Sequence, residues 1–142
     1  PEPLVEAFTR PALKRMLAGR RSMLKPLLLN QGFLAGLGNI YVDEALWRAR
    51  LHPLRRSDTL TAAEIARLHE GIVAALRQGI ANRGTTLASY QDLAGVQGTN
   101  QEELFVFRRE GQPCPRCGTP IEKLRIGGRA THFCPHCQRA PG

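Results

Sequence analysis

Apolar residues recur at helical spacing through most of the chain, and the pattern turns to short alternating runs only near the end. Thr9 precedes Leu13, Met16 and Leu17 with Pro11 in between, which predicts a short capped helix ended by Ala18 and Gly19. A second apolar element is predicted over about 22–29. Gly32, Gly36 and Gly38 then crowd the approach to Asn39, where they allow a positive φ or a close backbone approach. Asn39 is predicted to cap a helix over about 40–50, with Ala45, Leu46 and Ala49 on its apolar face. His52 and Pro53 break that run. Thr61 and Glu64 have the spacing of a capping box, and Ile65, Leu68, Ile72, Ala75, Leu76 and Ile80 follow on one face. They predict a helix over about 62–82, closed by Gly84 in the C′ position. Residues 84–102 are small and polar and read as a long loop of the kind that often carries function. A brief apolar segment, 104–107, leads to two predicted strands over 121–126 and 130–133, joined by Gly127 and Gly128.

Composition narrows the function. The 142 residues, 42% hydrophobic, suffice for one domain or two small ones. No apolar run approaches the roughly 18 residues of a spanning helix. The opening PEPLVEAFTR has no charged-then-apolar signal pattern, so a cytoplasmic protein is expected. Twenty Lys and Arg against 12 Asp and Glu give a net charge of +8. The excess is blocked: Arg10, Lys14, Arg15, Arg20, Arg21 and Lys25 lie in one acid-free stretch, and Arg48, Arg50, Arg55 and Arg56 in another. Several basic elements suit contact with a phosphate backbone, although a charged soluble surface would look the same.

All four cysteines fall in the last third, as Cys114-Pro-Arg-Cys117 and Cys134-Pro-His-Cys137. Two paired thiolates on separate tight turns make a tetrahedral Zn²⁺ site easy to build. A unit of this size has little core of its own, so metal would supply much of its folding energy. Two disulfides are the alternative for an exported protein, and an iron–sulfur cluster fits the ligand count alone. With four thiolates available, His132 is expected on the strand surface and His136 on a solvent-facing turn. Arg129 follows the glycine turn at the hairpin tip, where a guanidinium can meet a phosphate or a groove.

The runs Lys25-Pro-Leu-Leu-Leu-Asn-Gln31 and Gly36-Leu-Gly-Asn-Ile-Tyr-Val-Asp-Glu44 resemble bacterial formamidopyrimidine-DNA glycosylase. So do His52-Pro53, Gly84-Thr-Thr-Leu87, Gln112 through Ile121, and Gly128 through Cys134, in order along essentially the whole chain. The resemblance implies a mainly α helix-two-turn-helix domain followed by a small β-hairpin, zinc-ribbon-like finger. Its expected divisions are 1–8 as linker, 9–107 as the helical domain and 108–142 as the finger. It implies an enzyme that removes oxidised purines, 8-oxoguanine and formamidopyrimidines, from duplex DNA. That enzyme nicks the abasic strand by β,δ-elimination through a Schiff base on an N-terminal proline. The catalytic proline opens a β-rich domain, whereas Pro1-Glu2 here stand in a run that resembles the interdomain linker. The 142 residues are therefore expected to be the C-terminal half of a monomeric enzyme and to carry no catalytic residue.

By the same resemblance, Lys25 and Asn39 grip phosphates beside the flipped nucleotide, and Arg129 contacts the backbone around the lesion. The loop of about 89–101, with Ser89, Tyr90, Gly95, Gly98, Thr99, Asn100 and Gln101, closes over the everted base. The four cysteines hold one structural zinc. Glu44 is expected to cap or pair structurally, and Tyr41 to join the core. Where many relatives have Tyr-Gly-Arg after the loop, this chain has Phe107-Arg108-Arg109, which changes local backbone freedom and adds charge. A free-standing DNA-binding module, an endonuclease VIII-like enzyme for oxidised pyrimidines and an RNA-binding zinc protein are the competing readings. The last leaves the glycine-rich turn and the long loop unexplained.

Overall fold

The computed structural model describes residues 9–18, 20–30, 38–92 and 104–139, without the side chains of 79–92. Among the described residues, four α-helices come first: α1 (Arg10–Leu17), α2 (Leu24–Leu29), α3 (Asn39–Ala49) and α4 (Ala62–Asp92). A two-stranded antiparallel hairpin follows, β1 (Glu122–Ile126) and β2 (Arg129–Phe133).

The expected caps form at two helix starts. The Thr9 hydroxyl accepts from Ala12 N–H at 3.3 Å and opens α1. Before α4, the Glu64 carboxylate accepts from Thr61 N–H at 2.8 Å, and Glu64 N–H donates to the Thr61 hydroxyl at 3.2 Å. Arg55 adds a two-pronged grip on the same carboxylate, both contacts at 2.7 Å. That guanidinium holds the Glu64 carboxyl down at about 2.

Two boundaries differ from expectation. Gly38 is the cap residue of α3, and Asn39 is already its first helical residue. Its amide is thereby free to leave the helix end. The helix expected to stop at 82 runs to Asp92. A glycine inside a helix costs only about 1 kcal/mol relative to alanine, and no proline follows Gly84 to enforce a stop. Ser89 and Tyr90 are thus helical, whereas Gly95, Gly98, Thr99, Asn100 and Gln101 lie outside the described residues, as do Gly32 and Gly36.

The main core is aliphatic. Leu13 and Leu17 of α1 meet Leu24, Leu27 and Leu28 of α2, Val42, Ala45, Leu46 and Ala49 of α3, and Leu68, Ile72, Ala75 and Leu76 of α4. Tyr41 packs at its edge, as expected. Gly71 lets α4 approach α3 closely: a Cβ there would stand 2.6 Å from the Ala45 carbonyl oxygen. A second, smaller core joins Trp47 of α3 to Val106, Ile121, Cys114 and Cys134, so α3 serves both halves. Between the strands, Gly127 and Gly128 have φ of +58° and +79°. Positive φ at both central residues is the requirement of a tight type I′ hairpin turn.

Candidate metal centre and nucleic-acid interface

Cys114 and Cys117 lie on the turn before β1, and Cys134 and Cys137 on the turn after β2. Their four sulfurs all lie within 4.8 Å of one another. Cys114 and Cys137 are 4.0 Å apart, and Cys117 and Cys134 3.5 Å. Four Zn–S bonds of about 2.3 Å in a tetrahedron separate sulfurs by about 3.8 Å, whereas a disulfide brings them to about 2.05 Å. The cysteines are free thiols in zinc-site geometry, and the chain carries one structural zinc site. Neither histidine joins it, and His136 is exposed as expected. The two sides of the site differ. The Thr119 hydroxyl and N–H pull the Cys117 thiol down to about 5, while burial pushes Cys134 up to about 12.

The knuckles are fixed to the helices by side chains from α3 and the turns. Trp47 donates its indole N–H to Cys114 Sγ at 3.3 Å. Its ring is held between Phe105, with centroids 4.5 Å apart, and the Arg116 guanidinium, 3.8 Å from the ring centroid. Gln138 has no exposed surface. It accepts from Cys134 N–H at 2.8 Å and donates to the Leu51 carbonyl at 3.0 Å. Glu44, also fully buried, accepts from the N–H groups of Phe105, Val106 and Phe107 at 2.8, 2.9 and 3.1 Å. This is the structural role expected for it. Burial raises its carboxyl pKa despite those three donors.

Asp43, one position earlier on α3, gathers the other end of the hairpin. One carboxylate oxygen pairs with Lys25 of α2. The other accepts from His132 N–H at 3.0 Å and lies 3.1 Å from His132 Nδ1. His132 is therefore buried, not on the strand surface as expected, because this carboxylate draws it inward. Its Nε2 stands 3.6 Å from Glu110.

The three residues expected at DNA meet around one carbonyl. Lys25 Nζ and Asn39 Nδ2 both donate to the Ala130 oxygen, at 3.3 and 3.2 Å. Arg129, the neighbour of Ala130, is exposed, and its charge reaches Lys25. Lys25 has no exposed surface, so its amine does not itself reach solvent here. Burial lowers its pKa, Asp43 opposes that shift, and Arg129 adds to it. Asn39 is half-buried, with its Oδ1 unpartnered. A cleft of about 610 Å³ runs past Asn39 and Ala130 to Arg108, Glu110, Lys123 and His132.

Sequence reasoning passed over Asp43, Trp47 and Gln138. Asp43 is a carboxylate at an inward-facing position on α3, and that misplacement was the available signal, whereas Trp47 reads as an ordinary core residue. Gln138 follows the last cysteine and had none.

Two family models cover the chain: the formamidopyrimidine-DNA glycosylase H2TH domain over residues 1–91, and the zinc finger found in FPG and IleRS over 111–140. The formamidopyrimidine-DNA glycosylase of Roseiflexus sp. (strain RS-1) is 56% identical over 97% of this chain and 50% of its own length. That of Pelotomaculum thermopropionicum is 55% identical over the same shares. Among solved structures, the Lactococcus lactis Fpg in complex with DNA containing an abasic site superposes with a TM-score of 0.84 at 37% identity. It matches over 99% of this chain and 51% of its own. MutM in complex with carbocyclic 8-oxo-G containing DNA gives 0.83 at 39% identity, over the same shares. The chain spans about half the length of the curated relatives it matches.

Proposed function

The chain belongs to the formamidopyrimidine-DNA glycosylase family, and we propose that it supplies the duplex-DNA grip of an enzyme that removes oxidised purines. The observation that carries this reading is the convergence on Ala130. Helices α2 and α3 both clamp the carbonyl next to Arg129, so the exposed guanidinium stands on a braced hairpin tip. Phosphate contacts of this kind position a protein on the duplex, and they bind better when pre-organised. In the proposal, Arg129 and the Asn39 amide face the backbone beside the lesion, while Lys25, buried and paired with Asp43, braces the Ala130 carbonyl next to Arg129. In the same proposal the everted base is recognised through residues 89–101, the first four of which end α4. The neighbours solved with 8-oxo-G and Fapy-dG DNA favour oxidised purines over oxidised pyrimidines.

The whole enzyme would then excise the base and cut the abasic strand by β,δ-elimination at an N-terminal proline, on DNA inside the cell. The 142 residues alone would bind without chemistry. Borohydride trapping on duplex containing 8-oxoguanine should yield no adduct, and an adduct through Pro1 would contradict that. Binding is tested by fluorescence anisotropy across a salt series. With about four phosphates neutralised, log K should fall with log[salt] at a slope near −4. Arg129→Ala should reduce that slope by roughly 1, and Asn39→Ala should weaken binding with little change of slope. A flat salt dependence would remove the reading.

A further inference from the structure

We propose that Arg108 is a further phosphate-contacting residue of this DNA site, an inference that rests on the DNA reading above. The 105–108 segment is tightly constrained. Glu44 holds three successive N–H groups, those of Phe105, Val106 and Phe107. Arg109 N–H closes a turn onto the Val106 carbonyl at 3.0 Å. Arg108 occupies the third position of that turn with φ of +59°. This is where a type II turn favours glycine, and a side chain with a Cβ is disfavoured there. A non-glycine residue kept in such a conformation, over-determined by its surroundings, points to a task for the side chain.

Its placement indicates the task. Arg108 is exposed and lines the same cleft as Asn39 and Ala130. Its guanidinium lies over the Phe107 ring, 5.5 Å from the centroid, a cation–π contact that orients it while leaving its N–H donors free. It forms no ion pair among the described residues. The acid of the cleft, Glu110, faces Lys123 at 3.5 Å and His132 at 3.6 Å. A guanidinium with open donors beside a braced amide and a second arginine suits a phosphate group.

Strain and contact act in opposite directions, so one substitution separates them. The 142-residue chain is titrated with a duplex by anisotropy across a salt series, and thermal melts are run on the same samples. Arg108→Gly should raise Tm by about 2–8 °C, because it relieves the backbone. The same variant should weaken binding several-fold and reduce the salt slope by roughly 1. Arg108→Gln keeps the backbone demand and removes only the charge, and should lose the same slope without the gain in Tm. Wild-type affinity and slope in Arg108→Gln, with Arg129→Ala weakened, would overturn the assignment and leave the DNA reading intact. If Arg129→Ala is also unchanged, the DNA reading falls with it.

Discussion

Helices α1 to α4 close around buried aliphatic side chains, whereas the hairpin half closes around Trp47, Val106, Ile121 and cysteine sulfurs. The first can be held together by burial, at about 25 cal/mol for each Å² of apolar surface. The second has too little apolar surface for that and depends on metal and on polar clamps from its neighbour. Those clamps use buried groups with named partners: Gln138 on Leu51 and Cys134, Glu44 on three N–H groups, Asp43 on Lys25 and His132. The helical half is a scaffold that folds by shape. The hairpin is an attachment whose position is set by directional bonds.

The two halves should separate first at the metal. Cys134→Ala should remove zinc and unfold the hairpin, since structural zinc contributes on the order of 10 kcal/mol. The far-UV helical signal should remain while the fluorescence of Trp47, the single tryptophan, changes. Loss of both together would mean that the halves fold as one. Leu46→Ala is the reciprocal probe. Leu46 is fully buried in the helical core, and its truncation should cost about 2–5 kcal/mol in chemical denaturation. Zinc stoichiometry measured below the transition should stay at one.

Gln138→Ala sharpens the idea of a clamp. It leaves Cys134 N–H and the Leu51 carbonyl without their partner, at a cost of roughly 1–3 kcal/mol. Zinc should leave faster to a competing chelator, with the helical melt little changed. The smallest effect belongs to the helical half alone. Folded Glu64 titrates at about 2, below the ordinary value of 4.5. Its contribution is therefore complete above the unfolded value and disappears as pH falls through the folded one. Discounted for solvent screening, it amounts to about 1–2 kcal/mol. Acid titration of Glu64→Gln should lack that component between those two values.

How much of this was legible depended on the range of the forces. The Thr9 cap, the Thr61–Glu64 capping box, the i, i+3, i+4 stripe of α4 and the paired cysteines are local patterns, and Thr9, Thr61, Glu64 and the four thiols stand where the sequence implies. What was hidden is long-range. Asn39 looks like a cap, yet its amide reaches Ala130, 91 positions away. His132 alternates outward on a strand pattern until Asp43, 89 positions away, pulls it in. Gly84 reads as a stop, but its cost is small against a continuing helix. Lys25 reads as a free charge, and the chain gives it a buried carboxylate instead.

In the proposed function the zinc-held hairpin, braced on α2 and α3, carries the DNA contact while the helices stand without it. The direct test is stepwise zinc removal by a strong chelator, with duplex anisotropy and far-UV circular dichroism followed on one sample. DNA affinity should fall in proportion to zinc released, with the helical signal retained, and both should recover on adding zinc back. Undiminished DNA binding by the zinc-free chain, with its helices intact, would contradict the claim.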